Sequence, residues 1–358
     1  MRLNVLLFVV AQAALWGQDA DSGFELRTTL TEAGAYSQQL SAGPRSDGPL
    51  AGGFRALLYP TLKITSHWTV AGTLQVHSRP YFFEEFSTQG YGIRGDILQL
   101  HLSYARIWNK YSVVVRAGQL SSAFGSFLLH YDDADNPLID LPPSYGYYSK
   151  GVSTSGLAGA QADVSLGRVD LRAQFVNSSP ANRRSIFDRD QYGNWSGGAG
   201  YTIRQGLHVG ASAYRGPYLD RHYEYYFPGE AKPRELPGSA YGLDGAWGRG
   251  HWNVTGEWQR FVMTYRAIPT FTHTMGYVDA RRVLNPRMYA ASRVSYTRAS
   301  VGPGREIYEV AVGFRPNAHQ LVKVGYQIQQ GPGLRGTLAN TFAVQLVTSL
   351  RPISMTWN

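Results

Sequence analysis

The sequence predicts an all-β fold, a transmembrane antiparallel β-barrel of 16 strands, and three observations carry the prediction. Segments of about ten residues alternate apolar side chains with polar or small ones, the pattern of a strand that meets lipid on one face and water on the other. The gaps between these segments alternate long and short along the whole chain, as barrels with tight turns at one membrane face and long loops at the other require. Beyond the first 16 residues no stretch approaches the roughly 18 consecutive apolar residues of a membrane helix.

The chain opens Met1-Arg2-Leu3-Asn4, continues in an apolar run from Val5 to Trp16 broken only by Gln12, and then turns polar at Gly17-Gln18-Asp19. That layout reads as a secretory signal peptide over 1–18, with cleavage expected between Gly17 and Ala20. An exported chain that enters a membrane without helices must close into a barrel, because lipid offers no partner to unpaired backbone groups. Residues 19–358 contain no linker, no low-complexity tract and no repeat beyond the hairpin, so they are read as one barrel domain. The chain has no cysteine, which excludes disulfides and thiolate metal sites. Its formal net charge is +9, but the arginines are scattered rather than clustered, and nucleic acid is not an expected partner.

Taken in order, the first six strands are expected at 24–36, 53–65, 67–78, 95–107, 110–120 and 151–165. In the second, Phe54, Ala56, Leu58, Leu62 and Ile64 oppose Arg55, Tyr59, Thr61 and Lys63; in the fourth, Leu98, Leu100, Leu102 and Tyr104 oppose Gln99, His101 and Ser103. The next six are expected at 168–178, 194–204, 206–216, 239–249, 251–264 and 272–283, with Val169, Leu171, Ala173 and Phe175 opposing Asp170, Arg172 and Gln174 in the seventh. The last four, 287–299, 305–315, 319–330 and 339–350, include Tyr308, Val310, Val312 and Phe314 against Glu309, Gly313 and Arg315. Totals of 14 or 18 strands are the competing counts.

Links from even to odd strands are tight, for example Ser66-His67, Gly167-Arg168, Gln205-Gly206 and Asn285-Pro286, whereas 37–52, 79–94, 121–150, 179–193 and 217–238 are long. An even strand number places both chain ends on the tight-turn side, the periplasmic face in the outer membrane of a Gram-negative type bacterium. Trp68, Trp108, Trp247 and Trp252 fall beside tight turns, where an interfacial aromatic girdle is expected.

The longest gap, 121–150, is the third outer loop, and its apolar residues and prolines suit a segment that packs against something. A barrel of about sixteen strands encloses an aqueous channel, so folding this loop toward the lumen would form a constriction. The loop carries Asp132, Asp133, Asp135 and Asp140 with no Lys or Arg before Lys150. The expected lumen face carries Arg27, Arg55, Lys63, Arg116, Arg172, Arg204, Arg281, Arg293, Arg315 and Lys323 against Glu25, Asp163, Asp170, Asp244, Glu257, Asp279 and Glu309. Arg55, Lys63, Arg116, Arg172, Arg293, Arg315 and Lys323 are the basic wall residues expected to face the acidic loop, giving a transverse field and a weak anion preference. Mutually neutralising pairs on the wall are the competing arrangement.

Arg116-Ala117-Gly118-Gln119-Leu120-Ser121-Ser122-Ala123-Phe124-Gly125 resembles the strand-to-loop segment, R-x-G with a following F-G, of outer-membrane porins related to the phosphate-selective (O/P-like) family. Tyr277-Val278 ahead of Asn285-Pro286-Arg287 and Tyr289-Ala290-Ala291-Ser292-Arg293 resembles a late hairpin of the same group. The resemblance implies a trimeric diffusion channel that passes small polar or anionic solutes, sits among outer-membrane lipid, is inserted by the barrel assembly machinery and needs no cofactor or metal. Two departures stand out. Lys63, Lys110, Lys150, Lys232 and Lys323 are widely spread, so phosphate selectivity does not carry over. Leu350 is followed by Arg351-Pro352-Ile353-Ser354-Met355-Thr356-Trp357-Asn358 in place of a terminal aromatic residue, so the insertion signal falls to Phe342, Val344 and Leu346 or to a strand continuing past Pro352.

Three other readings compete. A barrel with a structural or adhesive role would have the same strands and no pore. His101-Leu102-Ser103 resembles part of the outer-membrane phospholipase pattern, but Tyr104-Ala105 stands where Asn-Gly should follow, and no catalysis is expected. Asp133-Ala134-Asp135-Asn136 and Asp188-Arg189-Asp190-Gln191-Tyr192-Gly193 supply oxygen ligands, yet neither completes a calcium loop.

Overall fold

The computed structural model describes residues 22–37, 48–79, 81, 92–126, 132–145, 156–177, 193–217, 237–264, 269–302, 304–330 and 340–357. The expected signal peptide and the Asp188–Tyr192 part of the second oxygen-rich segment lie outside them.

The chain forms a closed antiparallel barrel of 16 strands. In chain order they are β1 (Gly23–Tyr36), β2 (Leu50–Lys63), β3 (Trp68–Arg79), β4 (Gly92–Trp108), β5 (Tyr111–Leu120), β6 (Leu157–Leu166), β7 (Val169–Val176) and β8 (Asn194–Arg204). There follow β9 (Leu207–Pro217), β10 (Pro237–Arg249), β11 (Trp252–Met263), β12 (Phe271–Asn285), β13 (Met288–Ala299), β14 (Arg305–Asn317), β15 (Gln320–Gln330), β16 (Asn340–Ser349) and β17 (Ile353–Thr356). The last two are halves of one strand, since both pair with β1. The expected strands match these closely, except that the sixth begins at Leu157 rather than at 151.

Closure runs through a bulge. Thr29 is opposite Ser349, whereas Leu26 is opposite Ile353, so the last strand carries one residue more than its partner across Leu350-Arg351-Pro352. Pro352 has no N–H to give a ladder, and such a residue is tolerated at a bulge. The extra residue also flips the side-chain alternation, which turns Ile353 and Met355 outward, each 56 % exposed, opposite Leu26 and Phe24 of β1. The strand therefore continues past Pro352.

Outward positions are mostly apolar, and inward ones are mostly polar or small except in patches such as Tyr214, Phe261, Met263 and Met275 or Leu321 and Val347. On β14, Val310 and Val312 are 55 % and 44 % exposed, while Glu309 and Ala311 between and beside them are 6 % and 4 % exposed. Trp68, Trp108 and Trp252 lie exposed beside the tight turns, and Trp195, Tyr241 and Phe342 lie exposed toward the long-loop end. An exterior that keeps apolar side chains exposed between two aromatic belts is that of a barrel solvated by lipid.

A positive charge placed near the middle of the outer face should be costly. Val310→Arg is expected to lower unfolding stability in lipid vesicles by about 2–4 kcal/mol. Denaturant titration measures it, and a change within about 0.5 kcal/mol, as on a wetted surface, would contradict a lipid-facing position.

Candidate functional site: the third outer loop and the inner wall

The described parts of the third loop, 121–126 and 132–145, are bonded to inward-facing side chains around the barrel. The loop leaves β5 along the inner wall. Gln174 of β7 donates to the Ser121 carbonyl at 2.6 Å and accepts from the Ala123 amide at 3.1 Å. Phe124 then enters an apolar patch of the inner wall made by Tyr214, Ala240, Phe261, Met263 and Met275. Burial of such a ring contributes about 1.5–3 kcal/mol. Gly125 follows at φ 83°, a left-handed conformation suited to glycine, and a Cβ there would collide with the Tyr145 hydroxyl. Its amide donates to Ser212 Oγ at 3.2 Å, and its carbonyl accepts from Arg172 at 2.8 Å.

Glu257 of β11 joins the two described parts of the loop. Its carboxylate accepts from the Ser126 amide at 3.2 Å, from the Tyr145 hydroxyl at 2.8 Å and from Gln259 at 2.7 Å. Tyr145 closes a single 3-10 turn, Pro143–Tyr145, that packs beside β12 and β13.

On the opposite wall the acidic stretch is tied down residue by residue. Asp132 accepts from Thr29 at 3.0 Å and from the Tyr59 hydroxyl at 2.6 Å, and it caps its own turn by accepting from the Ala134 amide at 2.9 Å. Asp133 is buried in an ion pair with Arg55 at 3.2 Å and accepts from the Tyr81 hydroxyl at 3.0 Å. Tyr81 lies in the second long connection, outside the strands, where burial and the Asp133 carboxylate hold its hydroxyl well above the usual phenol range. Lys323 of β15 donates to the carbonyls of Asp133 at 2.6 Å and Leu138 at 3.0 Å. Leu138 fills a second apolar patch of the wall, with Tyr289, Ala291, Ala311, Leu321 and Val347.

Arg293 of β13 is fully buried. Its guanidinium lies 2.6 Å from Asp279 and 3.1 Å from Glu309, its direct cross-strand neighbours, and donates to the Asp140 carbonyl at 2.9 Å. One cation between two carboxylates of adjacent strands, with a loop carbonyl completing its shell, satisfies a charge that would otherwise be too costly to bury.

The residues expected to make the constriction thus divide. Asp133 and Asp140 are buried, Asp132 is half-buried, and Asp135 alone of the four is exposed. Among the basic wall residues, Arg55, Arg293 and Lys323 lie under the loop with exposures of 0 to 1 %. Arg116 pairs with Asp163, and Arg172 reaches the Gly125 carbonyl. Lys63 and Arg315 lie near the tight-turn end of β2 and β14, half-exposed. Ser103 donates to the Thr69 carbonyl at 3.1 Å, and His101 and Ser103 are half-buried inner-wall residues. Among the described residues no group of three His, Cys, Asp or Glu residues could hold a metal ion.

Sequence reasoning missed the use of Lys323 as a clamp on main-chain carbonyls, the Arg293 triad and the Glu257–Tyr145 bridge. The triad had a signal: once the Asn285-Pro286 turn sets the register, Arg293 falls opposite Asp279.

No family model and no curated protein matches the chain. Solved structures do. The barrel superposes on Salmonella typhi OmpF, in a complex with daunomycin, with a TM-score of 0.62 at 11 % identity over 91 % of this chain and 97 % of that one. An anion-selective porin from Comamonas acidovorans gives 0.62 at 9 % identity over 92 % and 100 %. OmpT of Vibrio cholerae, an outer membrane protein in a trimer form, gives 0.59 at 11 % identity over 92 % and 100 %. At these identities the likeness is one of fold.

Removing the cation of the triad while keeping its bulk should unseat the loop. Arg293→Met is expected to cost about 3–5 kcal/mol, because Asp279 and Glu309 stay buried without a counter-charge. Unfolding in detergent micelles measures it; a loss below about 1 kcal/mol, the range of exposed pairs, would contradict the buried clamp.

Proposed function

We propose that the protein is an outer-membrane porin, a passive diffusion channel for small polar or ionic solutes, whose bore is narrowed by the loop 121–150. The observation that carries the reading is the inner wall itself. A barrel with a structural role has no need to bury Arg55, Arg293 and Lys323 where they bond a loop against its inside. The likeness in fold to OmpF and to the anion-selective porin supports the same reading.

The finer parts are proposals of the same kind. A weak anion preference draws on the formal net charge of +9 and on Lys63, Arg281 and Arg315 toward the tight-turn end, tempered by the acids of β6, β7 and β10. Kinship with the O/P-like porins draws on Arg116, Gly118, Phe124 and Gly125, the last two of which seat the loop's first turn. Assembly as a homotrimer draws on the trimeric form of the Vibrio cholerae protein. Insertion by the barrel assembly machinery draws on the outward Phe342, Val344, Ile353 and Met355 of the last strand.

Refolded protein in planar bilayers is expected to give stepwise conductance, and in a salt gradient a reversal potential slightly on the anion side. Absence of steps would sink the channel reading, and a cation-side potential would sink the preference. Asp135→Lys, at the exposed acid of the loop, should move the potential further toward anions; no movement would place that residue outside the ion path.

A further inference from the structure

The inner wall is asymmetric. Under the loop on β13 to β15 and β1 to β2, charges are paired and buried. On β6 to β12 a cavity of about 510 Å³ remains, lined in part by Ser126 of the loop. Its wall is floored by glycine. Across one row of the sheet, Asp170 of β7 is opposite Gly200 of β8, which is opposite Gly210 of β9, which is opposite Asp244 of β10. Two carboxylates therefore flank a strip that has no side chains of its own and is overlain by the His208 ring and the Asp244 carboxylate, their Cα atoms three strand spacings or roughly 14 Å apart. Arg172 stands in the neighbouring row, opposite Gly198.

The glycines are needed for space. A Cβ at Gly198 would lie 2.9 Å from Arg172 Nε, one at Gly200 would lie 2.6 Å from the His208 ring, and one at Gly210 would lie 2.7 Å from the Asp244 carboxylate. Each absent side chain lets a polar one lie flat against the wall and face the cavity.

The charges are also kept apart. Asp170 accepts from Ser165 Oγ at 2.6 Å, Arg172 gives one donor to the Gly125 carbonyl at 2.8 Å, and His208 Nδ1 meets Thr202 Oγ1 at 3.3 Å. Among the described residues Arg172 and Asp244 share the cavity without closing an ion pair with each other. Arg293 shows what this wall does when the purpose is structural: it brings cation and carboxylate into direct contact. In the glycine-floored cavity the guanidinium keeps most of its fork, and the Asp244 carboxylate its lone pairs, for something placed between them.

We propose that this cavity is a binding station for small zwitterions, with the solute's carboxylate on Arg172 and its ammonium group between the carboxylates of Asp170 and Asp244. The inference rests on the reading of the barrel as a diffusion channel. A solute with a cation alone leaves Arg172 unmatched, and one with an anion alone meets the carboxylates of Asp170 and Asp244 and that of Asp163, the last already paired with Arg116; only a molecule with both groups is complementary to the whole site.

Uptake of labelled alanine into proteoliposomes holding the full-length refolded protein tests it, with lactate and isopropylammonium as competitors of similar size bearing one charge each. Alanine flux is expected to saturate, to be competed by unlabelled alanine, and to be little affected by either single-charge solute. Arg172→Gln and Asp244→Asn should each raise the half-saturation concentration about tenfold, the scale of one charge-assisted hydrogen bond. Heat-modifiable gel mobility verifies that each variant is folded, and the competition in the unaltered protein needs no variant. Flux linear in alanine concentration, or equal competition by all three solutes, overturns the station while salt conductance persists. Loss of salt conductance in the unaltered protein overturns the channel reading instead.

Discussion

Every backbone amide and carbonyl in the membrane-spanning wall has to find its partner within the chain, because lipid supplies none. That requirement forces the last strand back onto the first. The join is the least regular part of the wall: Pro352 cannot donate, and the strand accommodates it with one extra residue opposite β1. The bulge keeps the outer face apolar through Ile353 and Met355, so the ring closes without turning polar side chains into lipid. The apolar exterior, the polar interior and the division into two unlike ends follow from closure.

Closure creates an inside, and the inside creates an electrostatic problem. The third loop covers part of the inner wall, where Arg55, Arg293 and Lys323 lose their water. Each is compensated differently: Arg55 by a carboxylate from the loop, Arg293 by carboxylates from the neighbouring strands, and Lys323 by main-chain carbonyls of the loop. The penalty for leaving any one unpaired exceeds what the pair contributes when intact. These residues therefore act mainly to make one loop position the only satisfactory one. Phe124 and Leu138 add the apolar part, each filling a patch that the wall would otherwise leave open.

The wall opposite that clamp is arranged on another principle. Glycines at Gly198, Gly200 and Gly210 remove bulk where the clamp side carries large side chains, and opposite charges there face a cavity without touching. Both halves of the inner face hold the loop, one through Arg55, Arg293 and Lys323 and the other through Gln174, Arg172 and the patch around Phe124, and the second also keeps a polar space beside it.

The barrel was legible in the sequence because a strand between lipid and water has a period of two, and lipid tolerates few exceptions to it. Alternating long and short links gave the orientation, and the unusual length of 121–150 singled out the segment whose described parts, 121–126 and 132–145, bond to the inner wall. Which charges meet was not legible in the same way, because a partner on the next strand depends on register, and one across the lumen depends on the path of a loop. Of the acids read as bordering a passage, Asp132 and Asp133 bond the wall through their carboxylates, Asp140 through its carbonyl, and Asp135 is exposed. The sequence by itself determined the strands, the two faces of each and the two unlike ends, since these follow from local side-chain alternation and turn length. Only the tertiary structure decided which of the inward charges are buried in pairs and which are left facing water, since that follows from closing the ring and laying one loop along its inner wall.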